Sequence, residues 1–360
     1  MIKQRKIYVL VTIIICLACL VGCTRTRIID KISIVHVFGF DLGENGQLKG
    51  TALIPQYTMS KNSDEIKLIE EEAVSGDLFV PKMSRHTSTP IEMGKIRVML
   101  FGKNYAEAGI KDMVERFLIN PQVGTNIQIA ISTDSARETL KTFKKEKSLT
   151  LADTLKHNME GAGLPNSNLH IFLNHFYGKG MDAFVPMITI KEDKIVVEGV
   201  GIFKDDKLKL QLSPDESILL SFLIDKRSEG TYTMEDSDHN RTELISVQNF
   251  KSDSKWRWEK GKLDLRFQLK MTLTQFPDRF DIKKVEDVMK ITKKVEDKLE
   301  KDIADLLTTF QEEEVDPIGI GNIVRSKDRS WKREAFYEQY PSIPIDVNVD
   351  VEIIHAGLEG

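Results

Sequence analysis

Two stretches in the C-terminal half alternate apolar and polar residues with strict period two. Leu263, Leu265, Phe267, Leu269, Met271 and Leu273 interleave with Asp264, Arg266, Gln268, Lys270 and Thr272. Ile343, Ile345, Val347, Val349, Val351 and Ile353 repeat the pattern near the end of the chain. A period of two over that length describes long strands with one covered face each. Between them, residues 281–314 are highly charged, yet Val285, Val288, Val295, Leu299, Ile303, Leu306 and Phe310 fall on one helical stripe. The pattern predicts a long amphipathic helix laid over the apolar face of a C-terminal antiparallel sheet. Without that helix, both strands would leave a continuous apolar row in water.

Earlier in the chain the elements are shorter and mixed. Residues 31–40 and 48–54 read as strands around the turn residues Gly43 to Gly46, and residues 66–73 as a third strand. Residues 77–85 have helical character. Lys95 to Phe101 has the pattern of a buried strand, and Ala106 to Ile119 reads as one helix, with Ala106, Ile110, Met113, Val114, Phe117 and Leu118 recurring at three and four. Asn120-Pro121 stops it. A strand over 126–131 and a helix capped by Asp134 and running to Phe143 follow. Helices over 149–160 and 169–177 come next, the second ending at Gly178-Lys179-Gly180, which reads as a hinge or linker, and a strand covers 183–190.

Ile195 to Phe203 and Lys207 to Leu212 form a hairpin across Lys204-Asp205-Asp206. Ser213-Pro214-Asp215-Glu216 then has the signature of a capping box, which predicts a helix to Asp225. Glu229 to Arg241 is polar and reads as a loop. Asp316 to Asn322 turns the chain, and Trp331 to Tyr340 is a short helix. The alternation predicts an α+β or α/β fold of several mixed domains. The expected division is a segment 1–22 that is removed, an N-terminal domain 23–190 with room for two subdomains, and a C-terminal domain 191–360.

The first residues carry the arrangement of a secretory signal. Lys3, Arg5 and Lys6 precede an apolar run from Ile7 to Cys19, too short and wrongly flanked for a durable membrane span. The run ends in Leu20-Val21-Gly22-Cys23, which resembles the lipobox of bacterial lipoproteins. That resemblance implies a diacylglyceryl group on the Cys23 thiol, cleavage before Cys23, and often acylation of the new N-terminus. Two or more acyl chains hold a protein on a bilayer at roughly 0.8 kcal/mol per buried CH₂. Loss of residues 1–22 takes the formal charge from −4 to about −7. Thr24 to Ile29, with Arg25 and Arg27, is the expected tether.

Charge and cysteine usage narrow the function classes. Lysines and arginines are dispersed among acids at every scale, so no nucleic-acid partner is expected. The three cysteines, Cys16, Cys19 and Cys23, all lie at or before position 23. The folded part therefore has no disulfide, no cysteine-based zinc site and no cysteine nucleophile. Its stability must come from core burial, for which the chain is long enough.

Catalytic motifs are absent or out of context. Gly319-Ile320-Gly321 is half of a dinucleotide fingerprint but follows a helix rather than a strand, so it reads as a turn. Gly94-Lys95 and Gly102-Lys103 lack the upstream glycine of a phosphate loop, and no serine sits in a G-x-S-x-G elbow. His170 and His175, five apart on a helix, point to different faces and do not make a metal site. His86 reads as a solvated loop residue beside Arg85, and Glu312-Glu313-Glu314 as a solvated helix end. Trp256 and Trp258 read as packing residues near a strand edge, and Asn240-Arg241-Thr242 is a sequon without relevance to a bacterial lipoprotein. No catalytic, metal or cofactor-binding residue is predicted; Cys23 is the one site residue, for lipid attachment.

Three stretches, taken in order, resemble the Ger(x)C family, the C subunits of spore germinant receptors. They are Lys95-Ile96-Arg97-Val98-Met99-Leu100-Phe101-Gly102 with Ala106 to Ile110 and the helix to Asn120-Pro121; Gly199-Val200-Gly201-Ile202-Phe203-Lys204-Asp205-Asp206-Lys207-Leu208; and Asp316-Pro317-Ile318-Gly319-Ile320-Gly321 followed by Trp331 and Tyr340-Pro341. The chain departs from the family in Thr24-Arg25, where Trp-Asp is common, and in Ile318 and Ile320, where phenylalanine is usual. The resemblance implies a non-enzymatic lipoprotein on the outer face of the spore inner membrane. It would work beside two membrane-embedded subunits, of A and B type, in the response to small nutrients. Two other classes remain open on the residues alone. A solute-binding lipoprotein of an importer would need two similar lobes, and no internal repeat is visible. A cell-wall hydrolase rests only on location and the abundance of acids.

Overall fold

Strand Val37–Leu42 shows how the first half is built. Phe38 and Phe40 point into one apolar cluster and Val37 into another, so the sheet is buried on both faces. The neighbouring strand repeats the division, with Met99 and Phe101 on one side and Val98 and Leu100 on the other. That is why these strands read as near-continuous apolar runs rather than alternating ones. The computed structural model describes residues 32–43, 46–56, 65–124, 126–145, 151–238 and 241–356. The signal segment, Cys23, the tether and Asn240 lie outside the described residues.

The strands are β1 (Ser33–Ile34), β2 (Val37–Leu42), β3 (Leu48–Gln56), β4 (Glu65–Ala73), β5 (Ile91–Glu92), β6 (Val98–Gly102), β7 (Gln128–Ser132), β8 (Phe184–Lys191), β9 (Lys194–Lys204), β10 (Lys207–Leu212), β11 (Thr231–Asp238), β12 (Arg241–Glu259), β13 (Lys262–Gln275) and β14 (Ile345–Ala356). The helices are α1 (Phe79–Met83), α2 (Lys103–Ala108), α3 (Lys111–Ile119), α4 (Ala136–Lys145), α5 (Leu151–Ala162), α6 (Leu169–Phe176), α7 (Pro214–Ile224), α8 (Val285–Glu312), α9 (Ile320–Lys327) and α10 (Arg333–Gln339).

β1 and β5 form a short parallel ladder, and eight strands make the large sheet in the order β10-β9-β8-β7-β6-β2-β3-β4. Its centre is parallel, from β2 through β6 and β7 to β8, and its flanks are antiparallel. The second sheet has the order β11-β12-β13-β14. The fold is therefore α+β with several mixed layers, as the pattern predicts.

The large sheet runs without interruption past residue 190. Glu192 and Asp193, both at positive φ, make the two-residue turn between β8 and β9, the conformation that matches strand twist in a tight hairpin. Phe184, Val200, Ile202 and Leu212 of this sheet belong to the same apolar cluster as the core of the second sheet.

In the second sheet, β11 and β12 and then β12 and β13 pair antiparallel, while β14 joins β13 in parallel. The parallel step follows from α8, which carries the chain back along the sheet between β13 and β14. Ile291, Val295, Leu299, Ile303, Leu306, Leu307 and Phe310 of α8 are buried against the sheet. Val285, expected on this stripe, is 73 % exposed, because the first turns of the helix overhang the sheet and burial starts at Ile291. The free edge of β14 is also occupied: the N–H groups of Val349 and Val351 donate to Glu300 and Glu296 of α8.

Three other expectations are corrected. Residues 229–241 are not a loop, since Thr231–Asp238 is β11, paired along its length with β12. Its charged composition hides an inward row of Tyr232, Met234 and Asp236, and the buried Asp236 carboxylate accepts from Arg279 and Lys294. The helix expected over 106–119 is two, α2 and α3. Gly109 breaks it at φ +124, and the Ile110 N–H leaves the helix to donate to the Asp206 carbonyl. α4 is not capped by Asp134. The Glu138 N–H donates to Ser135 Oγ, and the N–H groups of Ala136 and Arg137 donate to the Asp41 carboxylate of β2. The capping box at Ser213 and Glu216 is present as predicted.

Candidate functional site

The three stretches that carry the resemblance meet around the β9–β10 hairpin. At its tip, Asp206 receives the Ile110 N–H across the break at Gly109. A side chain at Gly109 would place a Cβ 2.5 Å from the Asp206 carboxylate, at a backbone φ that L residues avoid. Asp205 of the same tip pairs with Arg333 of α10 at 3.1 Å. Lys204, at the end of β9, turns toward Asp182 and the ring of Tyr337.

Asp316 is the centre of this junction. The chain leaves α8 through Val315 and buries Asp316 completely. One carboxylate oxygen accepts the N–H groups of Gly319 at 2.9 Å and Ile320 at 2.7 Å, and the other accepts the Gly321 N–H at 2.7 Å and the Tyr337 hydroxyl at 3.0 Å. The amides that open α9 are thereby satisfied by a carboxylate three to five residues upstream. This is the role of Gly319-Ile320-Gly321. It is a turn, as its context predicts, and it wraps a carboxylate of its own chain.

Asp182 joins the other side. Its N–H donates to the Asp316 carbonyl, and its carboxylate accepts the Asp316 N–H at 2.8 Å and Lys204 Nζ at 3.3 Å. The Asn322 N–H donates to the Gly180 carbonyl. Gly180 is consequently no hinge: a Cβ there would lie 2.6 Å from the Asn322 nitrogen. Glycine serves here because two backbones touch.

Burial pushes the Asp316 carboxyl up to about 6; the N–H donors of Gly321 and Ile320 pull it down, and the charge of Asp182 adds to the rise. Burial also raises Asp182, against the pull of Lys204. Burial and the two carboxylates raise the Tyr337 phenol, so it stays a donor. Both oxygens of the Asp316 carboxylate, the Tyr337 hydroxyl and the Lys204 ammonium are bound to other groups of the chain. The arrangement holds segments together across the junction.

The other sequence candidates are not gathered into a site. His86 pairs with Glu71, and His170 is exposed on α6. His175 lies against Phe184, where burial lowers its imidazole to about 4. Among the described residues no three histidine, cysteine, aspartate or glutamate side chains are grouped to hold a metal. Glu313 pairs with Lys209. Trp256 and Trp258 lie on β12 beyond the reach of β11 and are half-buried against the core. A polar cleft of about 630 Å³ between α5 and the end of α7 is lined by Lys156, Ser221, Asp225 and Arg227, among others. Burial raises Asp225, which accepts the Asn166 N–H.

Sequence reasoning missed Asp182, Lys204, Asp316 and Tyr337 as a group. They lie in segments spread over more than a hundred residues, and a lone aspartate before proline has the local signature of a turn.

Known proteins match the chain over nearly its whole length. The family described as spore germination protein N-terminal domain matches residues 25–190, and the family described as spore germination B3/GerAC-like, C-terminal, matches residues 198–357. A Bacillus cereus protein described as spore germination protein GerQC is 27% identical over 346 residues, covering 94% of this chain and 96% of its own. The crystal structure of the GerBC protein has a TM-score of 0.57 at 18% identity, covering 88% of this chain and 96% of that one. At that identity the likeness speaks for the fold.

Proposed function

The chain belongs to the GerAC family of spore germination proteins, and we propose that it is a lipid-anchored, non-enzymatic subunit of a nutrient germinant receptor. What supports the reading most is coverage. The two family segments run through the chain from residue 25 to residue 357 in the order and spacing of a single family member.

In this reading Cys23 carries the lipid, and residues 23–190 and 191–360 are the N- and C-terminal germination segments of one body. The body sits on the outer face of the spore inner membrane beside A- and B-type membrane subunits. The fate of the motif residues supports a scaffolding part over a catalytic one, since Asp182, Lys204, Asp316 and Tyr337 bind each other. No helix among the described residues is long and apolar enough to cross a membrane.

The test is Cys23→Ala expressed in spores lacking the native copy. The variant protein is expected in the soluble fraction, with nutrient-triggered germination impaired while germination by a non-nutrient route is kept. Normal membrane retention together with a normal nutrient response would sink the reading.

A further inference from the structure

The tether is short and its root is fixed. Only ten residues lead from Cys23 to Ser33, at most about 36 Å fully extended and about half that as a flexible chain. Ser33 is pinned: its N–H donates to the Pro90 carbonyl, its hydroxyl meets that of Thr89 at 2.7 Å, and β1 pairs with β5. The surface around β5 therefore lies closest to whatever holds Cys23.

Beside β5 stands the end of α3. Gln122 Nε2 donates to Glu92 of β5 at 3.1 Å, and the turn is stiffened by the Gln122 and Val123 N–H groups, which donate to Asn120. The turn presents Leu118 and Ile119, 49 % and 78 % exposed, with Pro121 exposed next to them. Two large apolar residues held outward at the root of a short tether have no partner among the described residues. The tether and the two residues after it carry Arg25, Arg27 and Lys31 against a single Asp30, a sign that suits an anionic lipid surface. Other large apolar residues are exposed too, among them Val74, Phe250, Val285 and Met289; Leu118 and Ile119 differ in standing beside β5, at the root of the tether.

We propose that Leu118, Ile119 and the Pro121 turn rest in the headgroup region of the bilayer, making this end of α3 the membrane-facing surface of the body. The inference rests on the reading that Cys23 carries lipid. Attachment through one lipidated residue leaves a body free to rotate; a second, apolar contact beside the tether fixes which face meets the membrane and which faces meet other subunits.

The chain after Cys23 has no other cysteine, so Ile119→Cys and Gln268→Cys each give one labelling position in the full lipidated protein. Position 268 faces outward on β13. An environment-sensitive fluorophore at each would be read on vesicles of phosphatidylglycerol and phosphatidylethanolamine, with and without brominated acyl chains. The expected result is quenching of about twofold or more at position 119 and none at 268. Mass spectrometry of the same samples reports the lipid on Cys23. Lipidated protein without quenching at 119 overturns the membrane-facing surface and leaves the anchor standing; an unmodified Cys23 overturns both. Shielding of 119 that comes only with added receptor subunits, and without bromine quenching, assigns the surface to a protein partner and overturns the proposal as well.

Discussion

Asp182 and Asp316 hold each other in both directions: the Asp182 N–H donates to the Asp316 carbonyl, and the Asp316 N–H donates to the Asp182 carboxylate, both at 2.8 Å. The two residues stand 134 positions apart. Between them the chain builds all of the second sheet except β14, so this clasp closes a very long loop. Such closure costs entropy that the contacts at the clasp must offset.

Asp316→Ala leaves three backbone N–H groups and the Tyr337 hydroxyl without their acceptor in a buried place. A loss of about 3 kcal/mol or more is expected, since each orphaned buried donor costs about 1–3 kcal/mol. Tyr337→Phe removes one donor only and should cost about 1 kcal/mol. Urea unfolding followed by circular dichroism measures both. Equal small effects would mean that the junction does not contribute as described.

The pH dependence has two opposed parts. His175 is depressed to about 4 from an ordinary 6.5, so its neutral form contributes stability present above 6.5 and lost as pH falls toward 4. Asp316 is raised from 3.8 to about 6, so it contributes stability present below 3.8 and lost as pH rises through 6. His175→Phe should match the parent at pH 8 and exceed it at pH 5. Asp316→Asn should shrink the decline between about pH 4 and 6, leaving the part that the raised Asp182 and Asp225 contribute. Unfolding free energies at four or five pH values check both signs.

Glycine-to-alanine changes should act with opposite sign at two positions. Gly109→Ala forces a Cβ against Asp206 at positive φ and should cost more than about 1 kcal/mol. Gly161 lies within α5 with nothing near its absent Cβ, so Gly161→Ala should stabilise by up to about 1 kcal/mol. Thermal unfolding resolves the difference.

Glu296 and Glu300 occupy the N–H groups on the free edge of β14. The double change to Ala should leave the core intact and open that edge to pairing with another chain. Concentration-dependent light scattering should rise in the double variant and not in a control at exposed Lys293.

What the sequence made legible follows from which faces are covered. β13 has one apolar and one polar face, so its period of two was plain. The seven residues of α8 that meet the sheet kept enough of a stripe to show through its charge. β11 failed because its inward row includes Asp236, whose burial depends on Arg279 and Lys294 from distant segments. The break between α2 and α3 failed because the hydrophobic spacing continues through Gly109, and only the hairpin tip at Asp206 makes it a break. The junction itself was out of reach: Asp316 is satisfied by its own neighbours, but its reason for burial is Asp182. Gly319 and Gly321 were visible as turn residues, while the backbone contact between Gly180 and Asn322 belongs to the folded chain alone.

Because β9 and β10 complete a sheet that residues before 190 begin, exchange of parts between relatives is constrained. A chimera spliced at Glu192-Asp193 would ask β8 of one parent to zip against β9 of another, and Asp182 of one to clasp Asp316 of the other. A splice between β13 and α8 fares no better, since it parts β13 from its ladder partner β14 and Asp182 from Asp316. Specificity transplanted between relatives would then travel with the whole chain.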